Sequence, residues 1–176
     1  MIENENTVSS ELIYTGKTVS LRVDTVEVPN KGYQKREIVE HNGVVAIIAI
    51  TDEGKLILVK QYRKSIEDVV LEIPAGKLEL NENPKECAAR EFTQKTGYTA
   101  ENFKLIHKFY PSVGFSDQLI FIYLAKKLKK CEDKRDDQQL IVEEIDFDEV
   151  YNMVLNNEIV DGKTSIGVLL SKNIIK

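Results

Sequence analysis

The chain has 176 residues, which is the length of one domain with a core that buries roughly 70% of the unfolded surface. Its 24 Lys and Arg residues against 29 Asp and Glu residues argue against a general nucleic-acid binder, because such a protein needs a basic surface. No apolar signal segment or membrane span is visible, and Cys87 and Cys131 form neither a disulfide framework nor a metal-binding spacing. We therefore expect a cytoplasmic protein without a nucleic-acid or membrane partner.

The first 40 residues are predicted to form a small antiparallel β unit. Apolar residues alternate over 18–27, Pro29–Gly32 has the composition of a turn, and 33–39 is predicted to be the return strand. An isolated hairpin is marginally stable in water. We therefore expect residues 1–40 to be a dimerisation hairpin that packs against a second subunit of a homodimer, followed by a single domain over 41–176.

The centre of the chain combines buried strands with one helix. Residues 44–50 are almost all apolar, 55–62 follow a turn, and 71–73 are a further strand that leads into a turn at Pro74–Gly76. A helix is predicted over Pro84–Thr96, with Asn83 as its N-cap and Gly97 as its left-handed C-terminal stop. Residues three and four apart on this helix, such as Cys87, Glu91 and Lys95, share one face.

The C-terminal half is predicted to hold three strands and two helices. The strands are 103–110, 118–125 and 140–145, and the helices are 148–156 and 164–171. A charge-rich connection covers 126–139. Many strands with few, separated helices indicate a mixed sheet between helices, in an α/β or α+β sandwich.

The segment between Gly76 and Tyr98 has an informative spacing. It reads G-KLELN-E-NPKECAA-RE-F-T-QK-T-GY. Its frame resembles the Nudix box, in which a glycine, a glutamate, an Arg-Glu pair, a Glu-Glu pair and a glycine stand at fixed intervals. Here Gln94 and Lys95 occupy the positions of the Glu-Glu pair, which belongs to the family's metal site.

Several further motifs resemble the ADP-ribose pyrophosphatase branch of the Nudix (MutT-like) family, in the same order along the chain. They are KREIVEH at 35–41, VAIIAIT at 45–51, VKQYR at 59–63, LEIPAGK at 71–77, YPSVGFSD at 110–117 and DGKT at 161–164. The resemblance implies the α/β Nudix fold, an α/β/α sandwich with a mixed sheet. It also implies a homodimer that hydrolyses the diphosphate of ADP-ribose or another nucleoside diphosphate sugar with Mg²⁺ or Mn²⁺.

The resemblance assigns roles to individual positions. The catalytic positions of the box are matched by Glu91, Glu82 and Arg90. The metal-binding positions are matched by Glu91, Glu82 and the Ala75 carbonyl. The positions that match the substrate pocket are Arg36, Glu37, Arg63, Gly114 and Phe115. A guanidinium suits a diphosphate because it presents paired donors to the oxygens.

Five positions depart from the family pattern. They are Gln94 and Lys95 in the box, Gln118 after the YPSVGFSD motif, and Gln138 and Gln139 where this branch supplies a late acidic residue. An ammonium at Lys95, one turn beyond Glu91, opposes a divalent cation there, and it can pair with Glu91 instead. Two hypotheses follow: a hydrolase with an impaired metal site, or a catalytically silent module that binds a nucleotide or nucleotide sugar.

Overall fold

The computed structural model describes residues 4–131 and 140–174, and the contacts divide the chain into two compact units. The first unit holds the chain up to Gly43 together with Tyr110–Leu119. The second holds Val44–Phe109 and the chain from Ile120 onward. Among the described residues, none of the helices is both long and apolar enough to cross a membrane.

The first unit is built on a three-stranded antiparallel sheet in the order β1-β2-β3. Its strands are β1 (Asn6–Thr15), β2 (Ser20–Val28) and β3 (Gly32–Glu40). The sequence predicted β2, the turn and β3, but not β1. All ten residues of β1 are exposed, so no alternation between buried and exposed positions marked it as a strand.

The second unit contains a mixed sheet and an antiparallel sheet. The four-stranded sheet has the order β7-β4-β9-β8, and β4 and β9 run parallel; the three-stranded sheet has the order β10-β5-β6. Its strands are β4 (Val44–Ala49), β5 (Lys55–Arg63), β6 (Asp68–Glu72), β7 (Ala75–Lys77), β8 (Tyr98–Phe109), β9 (Ile120–Lys130) and β10 (Ile141–Asp146).

Among the described residues of this unit, three helices cover the sheets on opposite faces. They are α1 (Pro84–Thr96), α2 (Phe147–Leu155) and α3 (Gly162–Ser171). Successive residues of β4 alternate between two cores: Ile48 packs in the cluster that contains α2 and α3 residues, whereas Ile47 packs with Phe92 of α1. A sheet buried on both faces is the α/β sandwich that the sequence predicted.

Helix α1 has the predicted bounds and caps. The side chain of Asn83 accepts a hydrogen bond from the Lys85 amide at 2.9 Å, and Gly97 has a φ of 70°. The amide of Gly97 donates to the carbonyl of Thr93 at 2.9 Å and so closes the last turn.

Several predicted boundaries were wrong; the strand predicted at 71–73, for example, is β6 and runs from Asp68 to Glu72. Ala75 and Gly76 lie in β7 and not in a turn, because they pair with Ala46 and Val45 of β4, and a three-residue strand leaves no periodic signal. Strand β8 begins at Tyr98, five residues before its predicted start at Phe103. Its added residues pair with 126–130, which continue β9 and are not a loose connection. Because backbone hydrogen bonds hold this outer part of the sheet, the charged side chains of 126–130 can stay exposed to water.

Candidate functional site

Arg90 is the centre of a polar cluster that α1 builds with the preceding loop. Its Nε donates to Glu82 Oε1 at 2.8 Å and its Nη2 donates to Glu82 Oε2 at 2.9 Å, which is a bidentate ion pair. These hydrogen bonds from Arg90 are the main reason that the pKa of Glu82 falls to about 2. Arg90 is therefore bound to a residue of the loop that precedes α1.

Glu91 lies between two protein cations. Arg90 Nη1 donates to Glu91 Oε1 at 2.7 Å, and Lys95 Nζ lies 3.9 Å from Glu91 Oε2. The side chains of Glu91 and Lys95 are 14% and 18% exposed, so water screens this contact only partly. Gln94 also joins the cluster, since its Oε1 accepts from Arg90 Nη1 at 3.3 Å. The pairing of Lys95 with Glu91 is therefore confirmed.

Gly76 allows the carboxylate of Glu91 to reach the backbone of β7. A Cβ atom built at Gly76 overlaps the side chain of Glu91, well inside the 3.0 Å that real Cβ contacts keep. The first glycine of the box thus has a steric role, which is to make room for Glu91 beside the Ala75–Gly76 backbone.

Cys87 is a buried thiol that borders this cluster. Its side chain is fully buried, and its Sγ donates to the carbonyl of Lys77 at 3.5 Å. Burial, together with the neighbouring carboxylate of Glu82, raises the pKa of the thiol to about 12. Cys87 is therefore buried, and we expect its thiol to be inert.

The described residues alone do not fit a divalent cation. Across residues 4–131 and 140–174, no group of three or more His, Cys, Asp or Glu side chains could hold a metal. Arg90 occupies both oxygens of Glu82, while Arg90 and Lys95 face the two oxygens of Glu91. A hard cation prefers several free oxygen ligands. Here Arg90 and Lys95 occupy the carboxylate oxygens that would bind such a cation.

Arg63 belongs to a second polar cluster, at the end of β5. Its Nε donates to Glu72 Oε1 at 2.5 Å and its Nη2 to Glu72 Oε2 at 2.8 Å. The Lys163 ammonium also donates to Glu72 Oε2, and it donates to Asp161 Oδ1 at 2.8 Å. The sequence predicted a ligand-binding role for Arg63, and that role stays a prediction.

The other predicted pocket residues lie in the first unit. Arg36 donates from Nε and Nη2 to Glu5, at 2.9 and 2.6 Å. Next to it on β3 lies Glu37. The loop that carries Gly114 and Phe115 is fastened to β3, since the Val39 amide donates to the Phe115 carbonyl at 2.8 Å.

The roles of these pocket residues in binding stay predictions, as do those of the altered positions. The amide of Gln118 donates to Ser116 Oγ at 3.2 Å. Gln138 and Gln139 lie outside the described residues.

Sequence reasoning missed the partners of Arg63. Glu72 lies in the LEIPAGK motif, and Asp161 and Lys163 lie in the DGKT motif, but no role was assigned to them. A glutamate between Leu71 and Ile73, inside a buried strand, is a signal that could have been used. A carboxylate at such a position requires a cationic partner.

A model of the NUDIX domain matches residues 40–162, which is more than half of the chain. The chain belongs to the NUDIX family. It is 44% identical over 167 residues to an ADP-ribose pyrophosphatase of Bacillus subtilis (strain 168), and the match covers 93% of this chain and 90% of the relative. It is equally 44% identical over 167 residues to a methanol dehydrogenase activator of Bacillus methanolicus, with coverages of 93% and 90%.

Two more comparisons support the NUDIX assignment. An ADP-ribose pyrophosphatase of Mycobacterium tuberculosis (strain ATCC 25618 / H37Rv) is 35% identical over 167 residues, which cover 93% of this chain and 81% of the relative. A crystal structure of an ADP compounds hydrolase superposes with a TM-score of 0.86 at 16% identity, covering 99% of this chain and 96% of the other. The latter similarity shows the fold, and it confirms the predicted Nudix fold of the α/β class.

Proposed function

We propose that this NUDIX protein binds a nucleoside diphosphate sugar of the ADP-ribose type, and that its hydrolysis of the diphosphate is impaired. Relatives named ADP-ribose pyrophosphatase, at 44% and 35% identity over most of the chain, support the choice of ligand. The arrangement around Glu91 supports the loss of activity.

The single observation that carries the proposal is the position of Lys95. Its ammonium lies 3.9 Å from Glu91 Oε2, while Arg90 donates to the other oxygen. Two unit charges about 4 Å apart interact by roughly 4 kcal/mol at an effective dielectric near 20. A dication at Glu91 would therefore lose attraction to the already neutralised carboxylate and gain repulsion from the ammonium.

Any hydrolysis that the chain retains would require Mg²⁺ or Mn²⁺ to displace Arg90 and Lys95 from the carboxylates of Glu82 and Glu91, with the Ala75 carbonyl as a further ligand. The working form is a cytoplasmic homodimer in which residues 1–40 pack against the second subunit. Support comes from the exposed apolar side chains of β1, such as Leu12 at 62% and Tyr14 at 59%, because burying them would stabilise an association.

The second candidate function is a silent binding module that holds the nucleotide sugar without cleaving it. Arg63 favours this alternative. Glu72 holds one edge of its guanidinium, and the side chain is still 40% exposed, so a donor for phosphate oxygens is retained. A contact between Arg63 and the phosphates would therefore not require the altered box positions.

One experiment separates the two candidates: turnover of ADP-ribose with Mg²⁺ or Mn²⁺ by the parent and by the Gln94→Glu/Lys95→Glu variant. The variant replaces the ammonium beside Glu91 with a carboxylate, so we expect tighter metal binding and much faster hydrolysis than in the parent. If the variant binds metal but does not hydrolyse ADP-ribose, the silent-module candidate is favoured. Parent turnover of about 1–10³ s⁻¹, the usual enzyme range, would refute the impaired site.

The matched control is Lys85→Glu. It makes the same change in charge as the Lys95→Glu part of the variant, on the same helix, but Lys85 is exposed in the first turn and lies six residues from Glu91, on another face. We expect its turnover and metal affinity to equal those of the parent. A gain in this control would show that net charge, and not the position of Lys95, controls activity.

A further inference from the structure

Glu72 is a buried carboxylate that two cations share. Its side chain is 2% exposed, and Arg63 and Lys163 both donate to it. Burial opposes ionisation of Glu72, but the hydrogen bonds and charges of Arg63 and Lys163 outweigh that effect and hold its pKa below the usual value. Glu72 is therefore an ionised group in the interior, and its position is defined by its partners.

Glu72 in turn orients Arg63. The Nε and Nη2 edge of the guanidinium is held by the two carboxylate oxygens, at 2.5 and 2.8 Å. Because a guanidinium is planar, fixing this edge also fixes the direction of Nη1. The Arg63 side chain remains 40% exposed, so a pre-oriented donor is presented at the surface. Pre-orientation reduces the entropy that ligand binding must otherwise overcome.

Lys163 cannot act as a surface ligand itself. Its side chain is 11% exposed, and its ammonium lies between Glu72 Oε2 and Asp161 Oδ1. The backbone around Lys163 is also fixed: the Thr164 amide donates to Asp161 Oδ2 at 2.9 Å, and Thr164 Oγ1 accepts from the Ile73 amide at 2.9 Å. The N-terminus of α3 is thereby fastened to the chain directly after β6, next to Glu72.

The charges of this cluster balance. Arg63 and Lys163 carry two positive charges, and Glu72 and Asp161 carry two negative ones. Without the Lys163 ammonium, two carboxylates would face one guanidinium, and the potential at the outer edge of Arg63 would become less favourable for an anion. The carboxylate of Glu72 would also lose the donor that fixes its second oxygen.

We propose that Lys163 is a positioning residue that, together with Asp161, holds Glu72 in place and so sets the orientation of Arg63, and the electrostatic potential around it, for binding the diphosphate of the ligand. This inference rests on the proposed function, in which Arg63 contacts a nucleoside diphosphate sugar. It assigns a binding contribution to the DGKT motif, which lies 98 residues or more from Arg63 in sequence.

The test is a double-mutant cycle with ADP-ribose as the probe and calorimetry as the measurement. Lys163→Met should raise the Kd for ADP-ribose roughly 5- to 50-fold, as expected for residues in one charge network. In the Arg63→Ala background the same change should raise the Kd less than about twofold. An equal effect in both backgrounds overturns the proposal, because Lys163 would then act independently of Arg63.

The control variant is Lys64→Met, which removes one positive charge next to Arg63 in sequence. Lys64 pairs with Glu67 at the surface, where its side chain is 80% exposed, and not with Glu72. Its Kd should stay within about twofold of the parent value. If Lys163→Met does not fold, Lys163→Gln is measured in its place, and the same direction of change is expected.

A ligand-free readout separates this inference from the proposed function. The NMR resonance of the Arg63 Nε–H group should move in Lys163→Met and stay unchanged in Lys64→Met. If the parent binds no ADP-ribose but the resonance moves, the proposed ligand is wrong and the coupling between Lys163 and Arg63 is upheld. If the resonance does not move, the positioning role is wrong whatever the parent binds.

Discussion

Replacing Gly76 by alanine tests whether the box glycine serves to accommodate Glu91. The added methyl group would overlap the Glu91 side chain. The backbone of Gly76 cannot move away easily, because β7 is paired with β4 and Gly76 lies opposite Val45. We therefore expect Glu91 to rotate out of its position and to lose its 2.7 Å hydrogen bond with Arg90.

The magnitude follows from the interaction that is lost. A hydrogen bond to a charged group contributes about 1.5–3 kcal/mol, and overpacking a close contact adds strain of at least about 1 kcal/mol if Glu91 does not move fully away. We expect Gly76→Ala to lower the free energy of unfolding by about 2–3 kcal/mol. For a domain of this size, that corresponds to a fall in Tm of roughly 4–12 °C.

The assay is equilibrium unfolding in urea, together with thermal unfolding, for a four-member cycle of the parent, Gly76→Ala, Glu91→Ala and the double variant. In the Glu91→Ala background the methyl group has room, so Gly76→Ala should cost less than about 1 kcal/mol there. The control is Gly162→Ala at the start of α3, where an added Cβ meets nothing within 4 Å. This control should be neutral or slightly stabilising.

The reasoning is refuted if Gly76→Ala lowers the free energy of unfolding as much in the Glu91→Ala background as in the parent. The loss would then come from β7 itself. A fall in stability for Gly162→Ala of the same size would show that any alanine at a glycine is harmful in this unit.

Three further predictions concern pH, thiol chemistry and assembly. Because the pKa of Glu82 falls to about 2, its ion pair with Arg90 stabilises the fold fully above about pH 4.5 and loses this effect as the pH falls towards 2. The stability difference between the parent and Glu82→Gln, about 1–3 kcal/mol at pH 7, should therefore shrink in urea titrations at pH 3; a constant difference would contradict this. In the native protein at pH 8, Cys131 should react with a thiol reagent while buried Cys87 does not, and equal labelling of both would contradict the raised pKa of Cys87. Sedimentation at micromolar concentration should give a dimer mass, and deletion of residues 1–40 should abolish it; a monomeric parent would disprove the dimer.

The sequence predicted the elements whose side chains carry a periodic pattern. Helix α1 has the predicted bounds because Asn83, Pro84 and Gly97 are local signals that need no tertiary context. The apolar run at 44–50 correctly indicated a strand buried on both faces. Strand β1 is exposed throughout, and residues 126–130 at the outer end of β9 are mostly exposed and charged, so backbone pairing and not a periodic pattern defines these parts.

Within the candidate site, the spacing of the box by itself determined that Glu91 and Lys95 would meet, because residues four apart lie on one helical face. The fold class followed equally from local patterns and from the order of the motifs. Only the tertiary structure showed that Arg90 binds Glu82 of the preceding loop, that Gly76 makes room for Glu91, and that Lys163 shares Glu72 with Arg63. These contacts join segments that are distant in the chain or separated by a loop. The partner of a side chain in such a contact depends on the path of the backbone in three dimensions and not on the spacing of residues in the sequence.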